Sequence, residues 1–250
     1  MKKYSGAIIL MFFPLLIKGQ GEINTEEKIL YRDERSFAVL LNSNGVGGNF
    51  RYARRITYLK KTLYEVDLAY IKHPKEVKVT SASYYNTGRN YVYGKTNTFY
   101  NVRLGLGFQN EVFQKHDKGG ISIRYFYNAG LDVGLLKPIY YTYRTYIMVS
   151  DGSYTATDYV DRFKDQHPAV TEIMGRASFL KGFDEIAVIP GLYGKLGTTF
   201  EFGTSEKIIN AIEAGVIIDA FPKKIRIMAT EENSQFFLSL FISYRFGRGI

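Results

Sequence analysis

The 250-residue chain has no cysteine and no tryptophan, and only six prolines and three histidines. Without cysteine there is no disulfide framework, no thiolate metal site and no lipid-modified anchor residue. The histidines (His73, His116 and His167) stand far apart in sequence. No zinc, calcium-loop, phosphate-loop or serine-elbow spacing accompanies them. No metal and no cofactor is therefore expected. Long apolar runs are also missing. The longest, Ala7 to Ile17, falls well short of the roughly 20 residues a spanning helix needs. A bundle of membrane helices is excluded.

That first run has another reading. In "MKKYSGAIILMFFPLLIKGQGE" the basic pair Lys2 and Lys3 precedes the apolar stretch, and small and polar residues follow. This is the layout of a secretory signal peptide over residues 1–20, with cleavage near Gln20. Residues 21–250 are then the exported part. Losing Lys2, Lys3 and Lys18 takes the formal charge from +9 to 9 − 3 = +6. A basic exported chain without a binding motif for nucleic acid suits anionic lipid headgroups and lipopolysaccharide phosphates instead.

What the sequence has in plenty is tyrosine (21), phenylalanine (18) and glycine (24). It also alternates. In "FFLSLFISYRF", Leu238, Leu240, Ile242, Tyr244 and Phe246 share one face, while Ser239, Ser243 and Arg245 share the other. "NTFYNVRLGLGFQNEV" and "GGISIRYFYNAGLDVGLL" repeat the pattern. Period-2 runs of this kind predict eight strands, at 36–43, 46–58, 61–72, 97–114, 119–137, 186–203, 207–221 and 235–247. Several exceed the ~9–11 residues that a tilted strand needs to cross a bilayer. Three connections are short ("YLK", "QKHDKGG", "GTSEK"). They alternate with the "SNG" turn and with longer stretches at 73–96, 138–185 and 222–234. The short turns thus gather at one end of an up-and-down sheet, with both termini.

Alternation alone does not say which face points outward. A soluble barrel would turn its greasy face to a central cavity. Here the polar faces carry Arg51, Arg55, Arg103, Arg124, Lys195 and Arg245 against Glu65, Asp67, Asp132, Glu201, Glu213 and Asp219. They are interspersed with glycines. Charges of both signs in equal number suit a narrow lumen, where an unpaired charge is costly. Tyr52, Tyr58, Tyr64, Tyr70, Tyr100, Tyr125, Tyr127 and Tyr244 fall on or near the opposite face, where aromatic rings mark membrane interfaces. Signal peptide, loop parity and aromatics together favour lipid outside and charges inside.

The chain's ending also resembles the aromatic-rich terminal strand that barrel-assembly machinery reads in bacterial outer-membrane proteins. There the aromatic is usually last; here Gly247 to Ile250 follow Phe246. Over nearly all of its exported length the chain resembles small eight-stranded outer-membrane barrels of the OmpA/OmpX type. The expected fold is all-β: an eight-stranded antiparallel up-and-down transmembrane β-barrel with short periplasmic turns and long surface loops.

Such barrels include lipid A acyltransferases and deacylases, whose sites combine His and Ser with an acid, and Ser81, Ser83, Glu76 or Asp165 could complete such a set with His73 or His167. No spacing compels it, and no enzyme is expected. Eight strands also leave no room for a solute channel. The expected role is structural or interactive, with loops that bind an envelope partner or ligand; an accessory subunit of a secretion or barrel-assembly complex is one form of it. A lipid A-modifying enzyme and a soluble periplasmic binding barrel are the alternatives. The 138–185 connection is far longer than ordinary loops. Its Tyr140, Tyr141, Tyr143, Arg144, Tyr146, Tyr154 and Tyr159 have the composition of an interface with an envelope protein or ligand. Lys72, Lys75, Lys78, Arg89, Lys223, Lys224 and Arg226 form a basic rim suited to lipopolysaccharide.

Overall fold

The computed structural model describes residues 33–80, 90–115, 120–150, 152–163, 172–203 and 208–250. The expected signal peptide lies outside them. The described strands are β1 (Glu34–Asn42), β2 (Gly45–Arg55), β3 (Lys60–Ile71), β4 (Lys78–Thr80), β5 (Asn90–Val92), β6 (Asn97–Phe113) and β7 (Ser122–Pro138). They continue with β8 (Tyr140–Met148), β9 (Tyr154–Arg162), β10 (Ile173–Arg176), β11 (Ala187–Phe202), β12 (Ile208–Ala220) and β13 (Phe236–Gly249).

Eight of these strands close into an antiparallel barrel in the order β1-β13-β12-β11-β7-β6-β3-β2. Each is the neighbour of the next barrel strand in sequence, so the topology is up-and-down. The last strand seals the cylinder by pairing with the first, Phe37 opposite Phe246 and Leu41 opposite Ile242. Closure leaves the barrel no free edge, which a hydrocarbon environment requires. The alternation read from sequence places all eight within three residues; the largest offsets are at the end of the second, 46–58 against Gly45–Arg55, and the start of the fifth, 119–137 against Ser122–Pro138.

The faces are set inside-out relative to a soluble barrel. Leu104, Leu131, Leu196 and Leu240 lie on the exterior, 48–62 % exposed, whereas Arg124 and Glu213 are buried inside. Exterior rings meet across neighbouring strands, Phe37 with Phe50 and Phe246, Tyr52 with Tyr64 and Phe108 with Tyr127, and Phe202 of β11 reaches over β12 to Tyr244 of β13. These pairs make an aromatic girdle toward the short-turn end. At the long-loop end Tyr70 meets Tyr100, their centroids 5.5 Å apart.

The long connections are more ordered than sequence suggests. β4 and β5 form a hairpin within 73–96, and β10-β8-β9 form a three-stranded sheet within 138–185. The hairpin signal is present in "VSDGSYT", a DG pair between β-rich runs, and Gly152 there has φ +83°.

Candidate functional site

Two regions concentrate chemistry: the lumen and the assembly of long loops above it.

In the lumen, Glu213 of β12 sits at the hub. It accepts from Arg51 Nη1 at 2.6 Å, from Arg245 Nε and Nη2 at 2.9 and 3.0 Å, and from Thr199 and Ser243 hydroxyls at 3.0 and 3.3 Å. Arg51 also pairs with Glu65. Lys195 bridges Glu65 and Asp67 at 3.1 and 3.3 Å, and Asn49 Nδ2 donates to Asp67 at 2.5 Å. Arg245 reaches Asn49 Oδ1 at 2.5 Å and Ser36 at 3.0 Å. This mesh ties together β1, β2, β3, β11, β12 and β13. A second, bidentate pair joins β6 to β12, Arg103 Nε and Nη2 to Asp219 at 2.7 and 2.8 Å. Asp132 accepts from Asn101 at 3.0 Å. Toward the short-turn end Arg124 pairs with Glu201, and Lys61 with Glu34. Arg55 stands at this end, its Nε buried without a protein partner.

Sequence reasoning missed several interior residues. Lys61 and Glu34 extend the ion pairs. Phe126, Tyr193 and Phe241, with Leu40, Leu63 and Ile217, form an apolar layer among the charges. Arg51 stacks over Phe126, its Cζ 4.6 Å from the centroid. Nearer the long-loop end, Ile71, Phe99, Ile189, Phe221, Ile225, Ile227 and Phe237 fill the lumen mouth. Their alternation parity was legible; the mixture of greasy and charged residues on one face hid it. Glycines make room for these bulky groups. A Cβ on Gly105 would lie 1.7 Å from the Tyr193 hydroxyl, and one on Gly107 1.8 Å from Asn128 Oδ1.

Above the mouth, three connections pack into one cap. Tyr91, Ile139, Tyr141, Tyr143, Phe163 and Ile173 form its core. Tyr141 OH donates to the carbonyls of Val92 and Lys95 at 2.9 and 2.7 Å. Thr96 N and Ala229 N bond to Ile227 O and Gly94 O at 2.9 and 2.7 Å, and Lys95 pairs with Glu76 at 2.5 Å. Burial pushes the phenols of Tyr141 and Tyr143 well above their ordinary titration range.

The structure thus divides the expected interface set. Tyr141 and Tyr143, 1 % and 2 % exposed, are cap core and offer nothing to a partner. Tyr140 and Arg144 are half-buried in pairs, Tyr140 OH with Glu185 at 2.6 Å and Arg144 with Asp158 at 2.7 Å. Tyr146, Tyr154 and Tyr159 are exposed, beside Ile147, Met148 and Val160.

The rim and the histidines fare differently. Lys75 of the basic rim is engaged by Glu231 at 2.6 Å, and Arg89 lies outside the described residues. His73 Nε2 is 3.0 Å from the Glu232 carbonyl, and its Nδ1 accepts from Lys75 N at 3.3 Å. Both ring nitrogens therefore face backbone, not a serine. His116, His167, Ser81, Ser83 and Asp165 lie outside the described residues.

No protein-family model matches the chain, and no curated protein matches it. Among solved structures it is similar to the crystal structure of Neisserial surface protein A (NspA), with a TM-score of 0.36 and 11 % identity. The likeness covers 86 % of this chain and 95 % of that one. At that score and identity it carries no inference about function.

Proposed function

We propose that the chain is an outer-membrane barrel that acts as a closed anchor and presents its cap at the cell surface to an envelope or extracellular partner. The observation that carries this reading is the lumen. It is filled by hydrogen-bonded ion pairs and apolar plugs, while the exterior is a continuous greasy wall. A solute pore needs an open axis, and a soluble binding barrel needs an apolar cavity. In this orientation the short turns are periplasmic and the cap is external.

The partner surface is the β8–β9 hairpin. β9 is the edge of its sheet, and Tyr146, Met148 and Tyr154 share one exposed face beside it. Among the described residues no further strand joins that edge, and the aromatics beside it fit strand addition by a partner.

The test is a photo-crosslinking residue placed at Tyr154 or Tyr146 in intact cells, with Leu104 as the lipid-facing control. A discrete protein adduct at the hairpin positions and none at Leu104 is expected. Absence of any adduct at both hairpin positions overturns the partner reading. In planar bilayers the purified barrel is expected to give no conductance steps; regular steps would overturn the closed lumen.

A further inference from the structure

One feature on the outer wall belongs neither to the lumen nor to the partner surface. At the long-loop end of β6 and β7, Thr98 and Lys137 are register neighbours. By parity both point away from the lumen. They should be exposed, yet Thr98 is 3 % and Lys137 1 % exposed. The segment after β10 folds back over them. Lys137 Nζ donates to the Lys181 carbonyl at 2.9 Å and lies 4.7 and 4.8 Å from the ring centroids of Phe179 and Phe183. Arg176 also lies over Phe179, its Cζ 5.6 Å from the centroid.

The polar atoms gathered here are rich in donors and short of acceptors. Thr98 Oγ1 and Arg176 Nη2 are buried without a hydrogen-bond partner. Among the described residues no carboxylate pairs with Lys137 or Arg176. Of the two acids in the same segment, Asp184 is exposed and Glu185 is already held by Tyr140 OH at 2.6 Å and by Arg162. Two cations held beside one ring with no anion between them are costly unless a counter-ion is supplied. Around the site Phe179, Leu180 and Phe183 expose their side chains. Donors set beneath exposed apolar groups at the outer edge of a greasy wall match a phosphate carrying acyl chains.

We propose that Lys137, Arg176 and Thr98 form a phosphate-binding site on the barrel exterior, filled by the headgroup of a membrane lipid. Arg176, half-buried, forms its open side and the two phenylalanines meet the first methylenes of the acyl chains. That the phosphate comes from a lipid rests on the membrane reading above; that the site takes phosphate does not.

The test uses the full chain folded in maltoside micelles and titrated separately with dihexanoyl phosphatidic acid, dihexanoylglycerol and inorganic phosphate. The short phosphatidic acid is expected to bind and the phosphate-free diglyceride is not. Arg176→Gln, which sits outside the barrel wall, should weaken binding about tenfold or more. Lys137→Met should abolish it, with folding checked by electrophoretic mobility. Binding of inorganic phosphate as tight as that of the lipid, lost in the same variants, keeps the site and assigns it to free phosphate. No binding of either phosphate, or binding unchanged in Arg176→Gln, overturns the proposal. Because the inorganic phosphate arm needs no bilayer, its result stands whether or not the membrane reading fails.

Discussion

Glu213 offers the sharpest handle on what holds the barrel together. It is fully buried and serves two arginines, which are themselves 2 % exposed. Glu213→Gln keeps the shape but removes the charge and turns one oxygen into a donor facing guanidinium groups. Arg51 retains Glu65, whereas Arg245 is left with Glu65 at 4.0 Å. Breaking one buried pair costs about 3–5 kcal/mol. With two cations affected the upper end applies, about 5 kcal/mol, or a several-thousandfold shift in the folded-to-unfolded ratio.

The assay is urea unfolding from phospholipid vesicles, read by the mobility difference between folded and unfolded barrel on gels. Removing an arginine together with the glutamate restores the balance. Arg245→Met combined with Glu213→Gln should therefore fall short of the summed single effects by about 2–3 kcal/mol. A Glu213→Gln variant within about 1 kcal/mol of the parent, or strict additivity, would refute the role assigned to this network.

Two further outcomes follow from the packing and the cap. Gly105→Ala should destabilise by about 1–3 kcal/mol, because its methyl meets the Tyr193 ring; the same unfolding assay should show Tyr193→Leu removing most of that cost. The phenols of Tyr141 and Tyr143 have folded values raised by burial above the ordinary 10.0. Their contribution to cap stability is thus complete below pH 10 and is lost as pH rises beyond it, since the unfolded state gives up its protons first. Ultraviolet titration should show two tyrosines resisting ionisation until the cap opens, and normal titration of all tyrosines would contradict this.

The barrel was legible because one physical requirement repeats along every strand. Leu104 and Arg103 must face opposite solvents, so the register of β6 is written in its residues. The same holds for β13, where Ser239, Ser243 and Arg245 alternate with Leu238, Leu240 and Ile242. The cap was not legible for the converse reason. "YYTYRTYIM" carries tyrosines on both faces, Tyr141 and Tyr143 on one and Tyr140 and Tyr146 on the other, so its pattern does not say which face is buried. Burial there is decided by Tyr91, Ile139, Phe163 and Ile173 from distant stretches. Phe126 and Tyr193 sit on the charged face and read as exceptions, yet they fill the space that Gly105 and Gly197 vacate. In Lys137, a charge on the outward face is concealed by a segment some 40 residues later.

The absence of cysteine makes the orientation directly measurable, since any introduced thiol is unique. Single spin labels at Leu104, Leu131, Leu196 and Leu240, and in separate chains at Ser239 and Thr199, should be read in vesicles for collision with oxygen and with a water-soluble nickel chelate. Oxygen should relax the four leucine-site labels strongly and nickel only weakly, while both reagents should fail to reach Ser239 and Thr199. Nickel-accessible labels at the leucine positions, or oxygen-rich surroundings at Ser239, would contradict a barrel with lipid outside and salt bridges within.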